Sequence, residues 1–183
     1  MGHINIEIKA KCFHPGKVEA FLLSNGARFV GLDHQKDTYF IVPSGRLKLR
    51  QGNIEKSLIF YNRPDQEGPK QSDFSLSKIT DGAAIEQVLT NALGVKVIVE
   101  KNRKIFYIDN VKFHLDDVPG LGSFVEIEAG NLADLSKTID DLKSQCDHYM
   151  KAFEVSEEDL IHHSYSDMLL ACIATDSTDL HRK

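Results

Sequence analysis

Residues 4–11 read INIEIKAK, and this stretch alternates apolar side chains with polar or charged ones along its whole length. Successive side chains of a β-strand point to opposite faces of the sheet. The stretch therefore predicts an amphipathic strand. Its apolar face carries Ile4, Ile6, Ile8 and Ala10, and its polar face carries Asn5, Glu7, Lys9 and Lys11.

Three later stretches repeat this alternation. Their polar faces carry Arg46, Lys48 and Arg50, then Lys112, His114 and Asp116, and finally Glu126 and Glu128. An antiparallel sheet with one face in water explains such a pattern. However, like charges side by side repel, so purely basic or purely acidic polar faces are unusual on a solvated sheet. A sheet that closes into a barrel would instead gather both signs of charge in one lumen.

Turn and capping residues divide the rest of the chain into short elements, which indicates an α+β fold with antiparallel strands. Strands are expected at 4–11, 38–42, 46–50, 55–61, 74–78, 95–101, 103–108, 111–116 and 120–130, and helices at 15–26, 81–93, 132–150 and 157–171. Residues 62–73, NRPDQEGPKQSD, form the longest polar loop and are expected to be mobile. We expect one domain over 1–183, with a loose tail at 175–183.

Composition excludes several classes of protein. The chain has 183 residues, 27% of them charged, and no apolar run of the roughly 20 residues that a membrane span needs. It begins without the apolar core of a secretory signal, so we expect a cytoplasmic protein without membrane partners. A net charge of -5 argues against a general nucleic-acid binder. A small polyanion in a local basic pocket is compatible with this charge.

The mixture of charges on the strand faces suits one kind of ligand. Lys and Arg side chains bind phosphate oxygens, and carboxylates bind Mg2+ or Mn2+. A polyphosphate held together with a divalent metal would use both sets of side chains. Opposite charges about 4 Å apart attract by roughly 4 kcal/mol in a partly buried site, against about 1 kcal/mol in water, so a lumen would bind it better than a flat surface.

An ordered set of motifs carries a resemblance over nearly the whole chain. The motifs are INIEIKAK, DHQKDTYF, GRLKLR, KNRKIFY, HLDDVPGLGSFVEIE and SYSDMLL. In this order they resemble the CYTH superfamily, the class IV adenylyl cyclases and thiamine triphosphatase-like proteins, also called triphosphate tunnel metalloenzymes. The resemblance implies a closed eight-stranded antiparallel β-barrel, or tunnel, with helices packed outside. DTYF and GLGSFVEIE are most similar to the cyclases.

The resemblance also implies roles for individual residues. The metal ligands for Mg2+ or Mn2+ would be Glu7, Glu126 and Glu128. The phosphate ligands would be Lys9, Lys11, Arg46, Lys48, Arg50, Lys56, Lys101 and Arg103. Asp116 would be a metal-linked or water-positioning carboxylate, and Lys9 and Arg103 would act with it in catalysis. Arg63, in FYNRP, either replaces a lysine of the family pattern or is solvated.

One departure from the family pattern affects the metal count. Asn5 stands where the family has glutamate, and an amide oxygen brings no charge, which puts a second metal in doubt. From the resemblance as a whole, we expect a metal-dependent enzyme that converts ATP to cyclic AMP and pyrophosphate. The alternatives are a triphosphatase acting on thiamine triphosphate, inorganic triphosphate or a nucleoside triphosphate, a non-catalytic polyphosphate-binding module, and an ordinary half-solvated sheet. A homodimer through exterior helices would be compatible with each.

Overall fold

The structure is a computed structural model, and it describes residues 4–62, 73–132 and 134–179. Residues 63–72 of the predicted polar loop, with Arg63 among them, therefore lie outside the described residues. The eight strands are β1 (Asn5–Lys11), β2 (Arg28–Phe40), β3 (Arg46–Gln51), β4 (Lys56–Asn62), β5 (Asp73–Lys78), β6 (Val95–Ile108), β7 (Val111–Val118) and β8 (Gly122–Gly130). The four α-helices are α1 (Pro15–Ser24), α2 (Gly82–Leu93), α3 (Ile139–Ala152) and α4 (Tyr165–Asp179).

All eight strands form one antiparallel sheet in the order β1-β8-β7-β6-β2-β3-β4-β5. The sheet curls into a half-barrel. As a result, inward side chains from every strand line a single cavity. The predicted α+β class and the eight antiparallel strands are confirmed. Closure is not: β1 and β5 are the two edges of the sheet, and no pairing joins them within the described ranges.

The free edge of β1 shows why the sheet stays open at this point. The backbone N–H of Ile161 donates to the carbonyl of Lys9 at 2.8 Å, and Ala10 forms an isolated bridge with Leu160. The segment that precedes α4 therefore satisfies backbone groups of β1 that a closing strand would otherwise take.

The convex face of the half-barrel holds the larger apolar core. Val18 and Leu22 of α1 and Leu142 of α3 pack against outward side chains of β6, β7 and β8, including Phe113 and Ile127. A capping box between Thr138 and Asp141 begins α3. These two helices thus cover one half of the convex face.

The remaining helices cover other parts of the sheet. Helix α2 begins at the N-cap Asp81, which accepts a hydrogen bond from Ala84, and contacts β2 and β3. Helix α4 packs Tyr165 and Met168 against Phe124 and Val99 at one end of the concave face. It continues to Asp179, so residues 175–179 of the expected tail are helical. Within the described residues, no helix is long and apolar enough to cross a membrane.

Candidate functional site

The concave face encloses a cavity of about 860 Å3 beside the end covered by α4. Among the described residues its wall carries eight basic and five acidic side chains, an excess of three positive charges in a chain whose net charge is -5. The basic residues are Lys9, Lys48, Arg50, Lys56, Lys78, Lys101, Arg103 and Lys112, and the acidic ones are Glu7, Asp37, Glu55, Glu126 and Glu128. Such a wall attracts a polyanion.

Asp37 of β2 gathers three cations at the middle of the cavity. Arg50 donates to both of its carboxylate oxygens at 2.8 Å, Lys101 approaches at 2.9 Å and Lys48 at 3.4 Å. Burial raises the pKa of Asp37, but the three cations outweigh burial and hold this pKa well below its ordinary value. One carboxylate therefore keeps three cationic side chains together.

The same cations repel one another. Burial lowers the pKa of Lys101 to about 7, with Asp37 opposing the effect and Arg50 adding to it. Burial likewise lowers the pKa of Lys48. A polyanion placed here would supply negative charge beside these cations.

A second cluster surrounds Glu126 of β8. Lys9 approaches Glu126 at 3.0 Å, Arg103 at 2.8 Å and the Nδ1 of His114 at 2.9 Å. Burial raises the pKa of Glu126, but Arg103 and Lys9 outweigh burial and hold it well below its ordinary value. Burial lowers the pKa of His114 to about 4, so its ring is neutral at pH 7. The buried Nε2 of the ring has no hydrogen-bond partner among the described atoms.

Asp116 lies behind this cluster rather than in the lining of the cavity. Its carboxylate accepts hydrogen bonds from Nε and Nη2 of Arg103, and the hydroxyl of Tyr165 donates to it at 2.8 Å. Arg103 also extends to Glu126, so it spans the two carboxylates. Asp116 thus acts on the cavity through the orientation of Arg103, and α4 takes part through Tyr165.

Glu7 and Glu128 form the part of the wall best suited to a divalent cation. They face each other in register across β1 and β8, and Asn5 donates to Glu128 at 2.9 Å. Burial raises the pKa of Glu128, Lys112 opposes the rise, and the charge of Glu7 adds to it. Two adjacent carboxylates, one of which has a raised pKa, fit a cation between them.

This pair is not a complete metal cage. Within the described ranges, no three His, Cys, Asp or Glu side chains stand close enough to hold an ion by themselves. Mg2+ commonly binds through one or two carboxylates, with substrate phosphates and water completing its shell. The donor set therefore fits a metal that arrives with a phosphate ligand.

The structure brings most of the expected site residues together. Glu7, Lys9, Lys48, Arg50, Lys56, Lys101, Arg103, Glu126 and Glu128 line the cavity. Lys11 is exposed at the end of β1 and is outside the lining. Arg46 is also outside it, because it pairs with Asp167 at 2.9 Å and donates to Ser164 at 2.7 Å at the beginning of α4.

Four charged lining residues were not expected as site residues: Lys78, Lys112, Asp37 and Glu55. Lys112 shares the polar face of β7 with His114, so the alternation already contained the signal for it. Asp37 is two residues from Tyr39 on the inward face of β2, within the DTYF motif. Glu55 was expected as the first residue of a strand, but it lies in the turn between β3 and β4, where strand alternation does not set its direction.

A comparison with protein families decides the classification of the chain. The family model described as CYTH domain matches residues 3–165. The chain belongs to the CYTH domain family. The half-barrel with its charged concave face is thus the CYTH domain of this protein.

Individual known proteins are similar to this chain over most of their length. A protein of Methanocaldococcus jannaschii named "Putative adenylate cyclase" is 26% identical over 178 residues, covering 90% of this chain and 98% of its own. A solved structure from Pyrococcus horikoshii OT3 has a TM-score of 0.74 at 22% identity, covering 90% of this chain and 98% of its own. A Hippeastrum protein, described as having a dominant triphosphatase activity, has a TM-score of 0.60 at 14% identity, covering 84% and 89%.

Proposed function

We propose that this protein is a metal-dependent enzyme that binds a triphosphate in the cavity and converts ATP to cyclic AMP and pyrophosphate. The observation that carries the proposal is the convergence of eight basic side chains on the concave wall, among the described residues of an acidic chain. Family membership and the name of the M. jannaschii relative support this substrate class and this chemistry.

The basic side chains would divide the triphosphate between them. Arg50, Lys48 and Lys101 form one cationic group around Asp37, and Lys9 and Arg103 form another around Glu126. Arginine binds phosphate through two parallel N–H groups, which fixes orientation as well as charge. The cations around Asp37 and those around Glu126 would together hold a chain of phosphates in an extended arrangement. Lys56, which is exposed at the rim, would contact one end of the ligand.

Glu7 and Glu128, with Glu126 beside them, would hold Mg2+ or Mn2+. When bound, such an ion neutralises phosphate charge and polarises the phosphorus–oxygen bonds. Glu126 already accepts from Lys9, Arg103 and His114, so the Glu7–Glu128 pair would be the primary ligands. The amide of Asn5 would orient Glu128 without adding charge.

In the cyclase reaction the ribose 3'-oxygen forms a bond to the α-phosphorus and the bond from that phosphorus to the β-phosphate bridging oxygen breaks. Pyrophosphate leaves, and the 3'-hydroxyl proton passes to solvent. The contribution of the chain is to align the two reacting atoms and to neutralise charge on the leaving pyrophosphate. Lys9 and Arg103 are the side chains we assign to that charge, with Asp116 positioning Arg103.

Triphosphate hydrolysis is the second candidate, and the described activity of the Hippeastrum relative favours it. The same cations would hold the ligand, and water would attack the terminal phosphorus with release of orthophosphate. The two reactions differ in the nucleophile, a ribose hydroxyl or water, and in which phosphorus is in line with it.

A product assay separates these candidates. Purified protein is incubated with Mg2+ or Mn2+ and, in parallel, ATP, thiamine triphosphate or inorganic triphosphate. Cyclic AMP with pyrophosphate is the expected result from ATP, and orthophosphate alone would favour the triphosphatase. The variant Glu128→Gln should lose turnover and the exposed-site control Glu100→Gln should keep it. Binding without any product would contradict both enzymes and favour a binding module.

A further inference from the structure

Glu55 makes a contact that spans the cavity. It lies in the turn between β3 and β4, and Arg50 Nη1 donates to its Oε2 at 3.0 Å. Lys112 Nζ, from β7, donates to its Oε1 at 2.9 Å. Strands β6 and β2 lie between β7 and β3 in the sheet, so this one carboxylate connects two separate parts of the curled wall.

The turn that carries Glu55 is held in place from behind. Asp33, which is fully buried, accepts hydrogen bonds from the backbone N–H groups of Ile54 at 2.8 Å and Glu55 at 3.0 Å. A Cβ at Gly52 would collide with the same Asp33 carboxylate, so the close approach of the turn requires glycine. Gln35 donates to both Asp33 and Glu55. The position of the Glu55 backbone is therefore fixed, while its side chain is 28% exposed.

The two cations that Glu55 bridges resemble a phosphate site. Arg50 and Lys112 each donate to a different oxygen of the same carboxylate, as they would to two oxygens of one phosphate group. Both line the cavity next to the cations around Asp37 and Glu126. The carboxylate thus occupies a position that a bound polyanion would also favour.

We propose that Arg50 and Lys112 form an additional phosphate subsite, which Glu55 occupies as an internal anion in the ligand-free protein and which one phosphate group of a triphosphate takes over. This inference rests on the proposed binding of a triphosphate and goes beyond it in assigning Lys112 and Glu55. Displacing the tethered carboxylate opposes binding, because the fixed turn keeps Glu55 at a high effective concentration beside both cations.

The proposal predicts that removing a negative charge from the cavity wall strengthens binding. In Glu55→Gln the amide competes weakly for Arg50 and Lys112 and no longer repels phosphate. We expect the dissociation constant for inorganic triphosphate to fall at least about ten-fold. A merely structural role in holding Lys112 would give weaker binding, and a metal-ligand role would affect binding only when metal is present.

The experiment is calorimetric titration of inorganic triphosphate into the whole protein in the presence of a metal chelator. The matched control is Glu86→Gln, which also removes one charge and one lysine pair. Glu86 lies on α2, outside the cavity lining, and pairs with Lys36 of β2. We expect the control to bind within about two-fold of wild type. The double variant Glu55→Gln with Lys112→Gln should lose the gain, because the freed subsite then lacks its lysine.

Unchanged or weaker binding by Glu55→Gln would overturn the proposal, and so would a gain that persists in the double variant. If Glu55→Gln does not fold, Glu55→Asp replaces it. The shorter carboxylate cannot reach both cations. The Glu55→Asp variant should therefore bind inorganic triphosphate more tightly than wild type, and equal or weaker binding would overturn the proposal. Wild-type protein that binds no triphosphate would instead remove the proposed function, together with the subsite built on it.

Discussion

The two faces of the curled sheet differ in what they do for the protein, although they are made by alternate residues of the same strands. On β8, Val125 and Ile127 are buried in the convex core, whereas Glu126 and Glu128 face the cavity. Apolar burial on the convex face stabilises the fold. Like charges held close together on the concave face destabilise it until a ligand arrives. The core thus offsets the cost of a site prepared for polyanions.

The concave face is itself divided into two ends. Tyr39, Val99 and Phe124 pack under α4 at one end, and the charged wall begins next to them. Tyr165 joins the two ends, since its ring packs on Phe124, lies 4.2 Å from Lys9 Nζ, and its hydroxyl donates to Asp116. Variants on the convex and concave faces should separate effects on stability from effects on ligand binding.

The largest effect should come from the convex core. Phe113→Ala removes a fully buried ring that contacts Tyr149 and Phe153, and we expect the free energy of unfolding to fall by about 3–5 kcal/mol. Chemical denaturation measures this change. Triphosphate affinity of the folded variant should stay within about two-fold of wild type. A loss below about 1 kcal/mol would contradict the assignment of this core as the main source of stability.

Arg103 tests whether the charged face also has a structural part. Arg103→Met leaves Asp116 and Glu126 buried without their shared cation, so we expect a loss of about 3 kcal/mol in stability together with weaker triphosphate binding. Denaturation and calorimetric titration of the same preparation measure both. Binding that survives unchanged would contradict the place of Arg103 in the phosphate site.

Lys48 should show the opposite balance. Burial disfavours its charged form, and it is the most distant of the three cations around Asp37. Lys48→Met should leave the stability of the empty protein unchanged within about 0.5 kcal/mol or raise it, while triphosphate affinity falls about ten-fold. A variant that is less stable and binds equally well would reverse the comparison between the two faces.

The last effect concerns pH. Because burial lowers the pKa of Lys101 to about 7, the folded protein binds fewer protons at this group than the unfolded chain above pH 7. This group therefore contributes a stability that rises with pH from about 7 towards the ordinary lysine pKa of about 10.4. A bound polyanion favours the charged amine, so binding at pH 8 should take up a proton.

Calorimetry in two buffers of different ionisation enthalpy counts that proton. The matched variant is Lys101→Arg, which keeps its charge at every relevant pH. Wild type should take up more protons than this variant, by up to about one. Equal uptake by the two proteins would show that Lys101 is already charged in the empty cavity.

Alternation along the strands predicted much of the site, because side-chain direction in a strand is a local property. Glu7 and Lys9 of INIEIKAK, and Glu126 and Glu128 of VEIE, lie in the cavity as the pattern and the family resemblance implied. The edges of the sheet were less predictable. Whether β1 and β5 meet depends on the curvature of the whole sheet and on the segment before α4, and neither is encoded locally.

Two strands show where the local pattern misled. Strand β2 begins at Arg28, but its register shifts between Phe29 and Gly31, and this irregularity hides the alternation of its first half. Strand β6 is continuous from Val95 to Ile108. It was expected as two strands on either side of Asn102, which lies in the polar run 100–104. Asn102 instead points away from the cavity and contacts His34 at 2.6 Å.

The central claim is that the concave face is a triphosphate site, and thermal unfolding of the wild-type protein with inorganic triphosphate tests it most directly. At about 100 times the dissociation constant, the ligand should add about 2.7 kcal/mol to stability and raise Tm by roughly 5–10 °C. Orthophosphate at equal ionic strength should have a much smaller effect. No shift in Tm with millimolar triphosphate, with and without Mg2+ or Mn2+, would contradict the account.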